Sequence, residues 1–283
     1  MLSITSDYYQ SEGDTLPYLR RIAEAGFTHV HWCHHWSNDY LYSDDEIGEI
    51  KAWFKQFNLL LLNLHASQGR EKYWVSFDDT RRLAGLELVK NRIAMTARLG
   101  GNVTIIHIPT TEPHEFRTAR MVQIRRSLDE LEAFTRSRAV RLALENMDGD
   151  DFLVLETLLA EYDPVYLGLC FDSGHANLGG PGLEKLDQLK GRLIALHLHD
   201  NDGVSDQHKI PFTGSVNWPE LARVIASSAY QACVNLEVGI HHTGYQDEMS
   251  FLQHSHQAGE KLTAMIESGR NDVMSQQGSP HET

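Results

Sequence analysis

Four apolar runs in this 283-residue sequence each end in a side chain that can hold a divalent cation. They read Leu142-Ala143-Leu144-Glu145, Leu167 through Asp172, Leu193 through His197, and Val234-Asn235-Leu236-Glu237. Two glutamates, one aspartate and one histidine make a hard, oxygen-rich donor set. One acidic strand end is ordinarily a helix cap or an ion-pair partner. Four in succession, spaced by helix-sized stretches, point to one shared site. Carboxylates crowded there repel one another unless a cation neutralises them. Other chemistry-bearing residues fall at similar places. His65 and His107 end apolar runs, and His175 follows Asp172 by three. Asp206 and His208 are two apart, so an extended segment points both the same way.

The elements that must position these residues alternate. Strands are expected at residues 2–5, 27–32, 59–64, 103–108, 140–145, 166–172, 193–199 and 233–238. The run Leu59 to Leu64 is continuously apolar, as a parallel strand buried on both faces requires. Helical stretches separate them. Asp14 is a candidate cap for a helix to Ala25, with Pro17 in its first turn. Ser43 with Glu46 forms a capping box for a helix to about Phe57. Leu83, Leu86, Val89, Ile93 and Ala97 give the apolar stripe of a third helix. Ser173 to Asn177 reads as a loop. Eight βα units predict an α/β fold, a single (β/α)8 TIM barrel with chemistry at the C-terminal strand ends. No phosphate-binding glycine fingerprint follows the first strand, which argues against a doubly wound open sheet. The barrel is expected over residues 1–267, and residues 268–283 are expected to form a flexible polar tail.

Composition narrows the partners. At 41% hydrophobic and 23% charged residues the chain reads as an ordinary soluble protein. A formal charge of −14 disfavours nucleic-acid binding. The basic pairs Arg20-Arg21, Arg81-Arg82 and Arg125-Arg126 read as solvated helix faces. Three cysteines without close pairs give no disulfide framework, and Cys170 and Cys233 read as small core residues. No signal peptide is evident, no apolar run is long enough to span a bilayer, and a cytoplasmic location is expected. His29, His31, His34 and His35 read as surface or packing residues, and His199 as secondary to His197. Trp32, Trp36, Tyr40, Tyr73 and Trp74 read equally as sugar-stacking walls or as core.

The stretches Leu144-Glu145-Asn146, Cys170 through His175, Leu196 through Asp202, Asp206 through Gly214 and Leu236-Glu237-Val238 resemble the xylose-isomerase-like superfamily of metal-dependent barrels. The resemblance spans roughly Ile4 to Ile266. It implies that Glu145, Asp172, His197 and Glu237 form the shared metal site of sugar isomerases and epimerases. It implies Zn or Mn as the metal, with Mg or Co as further candidates. His175, His208, His65 and His107 are then substrate-binding. The implied reaction is isomerisation or epimerisation of a small sugar or hydroxy-carbonyl compound through a metal-stabilised ene-diolate, with Glu145 and Glu237 as the acid–base pair. Ketose 3-epimerases typically carry Arg where this chain has His208. His175 and His208 are also implied as additional metal-binding residues, and in the endonuclease IV type His65, His107, Asp206 and His208 join a three-metal cluster. A multi-zinc phosphodiester hydrolase is therefore the related alternative, with a metal-dependent lyase or dehydratase as another. The expected partner is a small molecule rather than a membrane or nucleic acid, and homo-oligomerisation is left open.

Overall fold

The structure, a computed structural model, describes residues 1–109 and 114–277. Eight strands, β1 (Leu2–Thr5), β2 (His29–Trp32), β3 (Leu60–His65), β4 (Val103–His107), β5 (Arg141–Glu145), β6 (Leu167–Asp172), β7 (Leu193–His197) and β8 (Val234–Leu236), lie side by side. Every named pairing is parallel, and the order runs from β7 back to β1 and then to β8. The closing seam is thin. Between β7 and β8 the ladder is one bridge, Leu198 with Leu236, fixed by Leu198 N donating to Asn235 O at 3.2 Å and Glu237 N to Leu198 O at 3.1 Å. The eight parallel strands and their alternating helices make the (β/α)8 barrel expected.

The helices α1 (Leu16–Glu24), α2 (Asp44–Phe57), α3 (Asp79–Arg98), α4 (His114–Arg136), α5 (Leu153–Glu161), α6 (Ser173–Asn177), α7 (Gly182–Leu189), α8 (Trp218–Ala226) and α9 (Glu248–Gln277) surround it. The Ser43 and Glu46 capping box at the start of α2 is present. Thr15, not Asp14, sits at the cap of α1, although Asp14 accepts a bond from Leu16 N at 3.0 Å. Apolar side chains fill the layer between strands and helices, and Val103, Ile105, Ala143, Cys170 and Ala195 pack together as a separate small cluster.

Four expectations are corrected. Ser173 to Asn177 is a short helix, because Asp172 caps it by accepting from His175 N at 2.7 Å. Leu83 is 49% exposed, while its neighbour Arg82 is fully buried. Arg82 belongs inside because Ser127 and Glu130 of α4 accept its guanidinium at 3.2 and 2.9 Å. Cys233 is half-buried rather than core. The last helix continues to Gln277, so part of the stretch expected as a polar tail is helical, and residues 278–283 lie outside the described ones.

Candidate active site

β5, β6, β7 and the end of β8 are adjacent or closed against one another, so their C-terminal residues must meet. One donor atom from each of Glu145, Asp172, His197 and Glu237 lies within 4.8 Å of the others. His197 Nδ1 stands between the two glutamates, 3.0 Å from Glu145 and 2.9 Å from Glu237. Around this centre the structure brings together every other site residue read from the sequence. His107 Nε2 and His65 Nε2 lie 3.2 and 3.6 Å from Glu145 Oε2. His175 Nδ1 is 3.6 Å from both Glu145 and Asp172. Asp206 lies 3.0 Å from His208 Nε2 and 3.5 Å from His175 Nε2.

Backbone and side-chain contacts hold these groups in place. Asn146 Nδ2 donates to Asp172 O at 3.0 Å, and Asp172 N donates back to Asn146 Oδ1 at 2.8 Å, locking β5 to β6 beside Glu145 and Asp172. His208 Nδ1 donates to Glu237 O at 2.7 Å. Its loop is anchored by buried Asp200, which accepts from Trp218 Nε1 at 2.8 Å, Gly214 N at 2.9 Å and Val216 N at 3.1 Å. That accounts for Trp218, whose indole packs beneath the loop.

The electrostatics follow from burial and pairing. Burial pushes the Glu145 carboxyl up, but the charges of His197 and His107 outweigh it and hold it well below the usual carboxylate range. Glu237 is depressed against the same burial by His197 and His31. His197 is lifted well above the ordinary imidazole range against its burial, by Cys170 and the two glutamates. His208 rises to about 10 despite burial because Asp206 and Glu237 face it. Burial carries Asp7 upward, with Glu237 adding to the shift.

Glu145 Oε2 and both ring nitrogens of His197 are buried and make no hydrogen bond. A buried polar atom left without a hydrogen bond is costly. Three carboxylates and one imidazole, with Glu145 Oε2 and the ring nitrogens of His197 unbonded, fit a divalent cation. Among the described residues, His65, His107 and Glu145 form a further group able to hold a metal ion, as do His199, His208 and Glu237.

A cavity of about 460 Å³ opens above the cluster. Glu145, Glu237, His65, His107, His175, Asp206 and His208 line it, while Asp172 and His197 lie fully buried beneath. Thr5, Asp7, Gln68, Met147, Asp148 and Gly239 also line it and were missed from the sequence. The signal was available: each follows or ends a strand within a few residues, where a barrel places its mouth. Trp36 lines the cavity, whereas Trp32 and Trp74 are core residues. His199 was underrated. It is fully buried, its Nε2 is 3.1 Å from Asp172, and its ring stacks on His208 at 4.0 Å. His31 and His34 are buried packing residues, not surface ones, which is one of the two readings the sequence offers.

The sequence profile of the xylose isomerase-like TIM barrel matches residues 19–255. The chain is 31% identical over 281 residues to the uncharacterized protein y4fM of Sinorhizobium fredii, covering 89% of this chain and 90% of that one. Among solved structures it is similar to a D-tagatose 3-epimerase-like protein, with a TM-score of 0.77 at 20% identity over 96% of this chain and 99% of that one. It is similar also to an L-ribulose 3-epimerase, with a TM-score of 0.76 at 15% identity over 100% and 99% of the two chains. A third is the 3-keto-D-glucoside 4-epimerase YcjR from E. coli, with a TM-score of 0.73 at 18% identity over 92% and 98%. At such identities these structural likenesses speak for the fold.

Proposed function

The chain belongs to the xylose isomerase-like TIM-barrel family, and from that premise we propose that it is a divalent-metal-dependent isomerase or epimerase of a small unphosphorylated sugar or related hydroxy-carbonyl compound. The observation that carries this reading is the placement of Glu145 and Glu237 on either side of His197 Nδ1, at 3.0 and 2.9 Å, with both carboxylates lining the cavity. The names of the structural neighbours, several of them sugar epimerases, support it.

Glu145, Asp172, His197 and Glu237 would hold the cation. When bound, it would supply a Lewis acid that disperses negative charge on adjacent substrate oxygens. Glu145 and Glu237 come from β5 and the end of β8, and so face a bound substrate from different directions. One takes the proton from the carbon acid and the other returns it, which inverts a carbon when the two approach opposite faces. His175 and His208 hydrogen-bond substrate oxygens, and Asp206 keeps both imidazoles oriented.

The substrate class follows from what lines the cavity. No lysine or arginine is among its described lining residues, whereas the carboxylates of Glu145, Glu237 and Asp206, all held ionised by their neighbours, line it. The residues outside the description, Thr110 to Pro113 and Gly278 to Thr283, include no lysine or arginine either. A phosphate on the sugar would meet acidic walls, so neutral polyols are favoured. The volume falls in the range of about 300–1,000 Å³ usual for small-molecule sites.

The test is a panel of neutral and phosphorylated ketoses and aldoses in deuterated water with metal-loaded protein. Turnover of a neutral sugar with deuterium entering at the inverted or shifted carbon is expected. Glu145→Gln should lower kcat by about 10²–10⁴-fold with unchanged circular dichroism. Full activity in that variant, or preference for the phosphorylated sugars, would sink the reading.

One observation favours a second reading. All nine ligand-capable residues associated with a multi-zinc phosphodiester hydrolase surround the same mouth. The acidic walls oppose a nucleic-acid substrate. Cleavage of an abasic duplex, falling steeply with salt, would decide for the hydrolase.

A further inference from the structure

We propose that the chain carries a second, softer cation site, made of His31 Nε2, Cys33 Sγ and Glu237 Oε1, which takes a borderline divalent ion such as Zn(II) or Co(II) and shares Glu237 with the oxygen-rich set. These three donor atoms lie within 4.8 Å of one another. Glu237 Oε1 is 3.6 Å from both Cys33 Sγ and His31 Nε2. Its other oxygen, Oε2, faces His197. The two oxygens of one carboxylate therefore address two different donor sets, as a bridging ligand does.

The site is built rather than incidental. Thr5, His31 and Asn63 are lateral neighbours on β1, β2 and β3. His31 Nδ1 donates to Asn63 Oδ1 at 2.6 Å. That bond fixes the tautomer and leaves Nε2, the atom aimed at Cys33 and Glu237, with a free lone pair. A ligating histidine characteristically donates its second N–H to such an oxygen. Cys33 is held just as firmly, since its backbone N donates to Ser6 Oγ at 3.0 Å, and Ser6 N donates to His31 O at 2.8 Å. His31 and Cys33 are buried beneath the cavity floor that Thr5, Asp7 and Glu237 form.

The donor chemistry selects the ion. Thiolate, imidazole and carboxylate together suit Zn(II) or Co(II) and not Mg(II), Ca(II) or Mn(II). Two ligands of one tetrahedral zinc stand about 3.4 Å apart at its usual bond lengths of about 2.0–2.3 Å. The two 3.6 Å spacings to Glu237 fit that figure. The 2.7 Å between Cys33 Sγ and His31 Nε2 is closer than two ligands of one ion sit and must widen on binding. Without an ion the same pair is a buried thiol donating to an imidazole, which is the competing outcome of the test.

The experiment loads the full chain with Co(II) under reducing, anaerobic conditions and reads metal per chain by elemental analysis together with near-ultraviolet absorption. A thiolate ligand gives a charge-transfer band there, and the oxygen-rich set has none to give. Wild type should show the band. Cys33→Ser should lose the band and one equivalent of cobalt, while Cys170→Ser and Cys233→Ser keep both. Cobalt-loaded wild type without the band, unchanged stoichiometry in Cys33→Ser, or a band that follows Cys170 would each overturn the proposal. Should Cys33→Ser lose its circular dichroism, His31→Gln replaces it, and full stoichiometry in that variant overturns the proposal equally. Cobalt remaining in Cys33→Ser reports the oxygen-rich set separately, so failure here leaves the proposed reaction standing.

Discussion

At the scale of single residues, the molecule gathers titratable groups whose neighbours decide their state. Asp150 gives a clean case away from the cluster. It is buried, its Oδ1 accepts from Phe152 N at 2.7 Å, and its Oδ2 makes no hydrogen bond. Burial raises its carboxyl to about 6. A folded-state pKa above the unfolded value means that the group's contribution to stability is fully present below about 4 and is lost as pH rises through about 6. Asp150→Asn keeps the acceptor without the charge. It should raise the melting temperature at pH 7 by a few degrees and flatten its pH dependence between about 4 and 6. Equal melting curves at pH 7 would show that the buried ionised carboxyl costs nothing. The clustered groups at the barrel mouth obey the same accounting in reverse. His197, His175 and His208 are raised against burial because carboxylates face them, and a cation taken up there would have to displace the protons they hold.

At the scale of elements, the barrel mouth depends on how helices seat against loops. Gly85 on α3 is one such contact. A Cβ there would meet Trp74 N at 2.3 Å and the Tyr73 carbonyl carbon at 2.5 Å. Trp74 Nε1 in turn donates to His107 O at 3.3 Å. Alanine is the better helix former by about 1 kcal/mol, yet overpacking against backbone costs about 1–3 kcal/mol. Gly85→Ala should therefore lower the melting temperature and, on the proposed substrate-binding role of His107, raise KM. A melting temperature at or above wild type would show that the loop yields freely. Most of this architecture was legible in the sequence, since strands buried on both faces and their spacing are written in local composition. What escaped was set at long range. Arg82 breaks the apolar stripe of α3, but its partners Ser127 and Glu130 are on α4, beyond the reach of any periodicity. His199 alternates with His197 and so pointed inward from the start, yet nothing local distinguishes a second inward histidine that meets Asp172 of β6. Cys33 and His31 likewise become a pair with Glu237 only when β2 and β8 flank β1.

At the scale of the whole molecule, the −14 charge and the acidic mouth act together. They attract cations and repel phosphates, which makes the proposed cation and the proposed neutral substrate mutually consistent. Among the described residues, no helix is long and apolar enough to cross a membrane. The single bridge joining Leu198 to Leu236 gives that picture a mechanical side. His197 stands on one lip of this seam and Glu237 on the other, 2.9 Å apart. An ion gripped by both would be a clasp across the weakest join of the cylinder. Amide protons of Leu198 and Glu237 should exchange with solvent deuterium faster in chelated protein than in loaded protein, while those of β4 and β5 change little. Equal protection at the seam in both states would mean that the barrel is shut by packing alone. Faster exchange in the stripped state would make the cation a stave-hoop as well as a reagent, and would make metal supply a determinant of how long each molecule survives proteolysis.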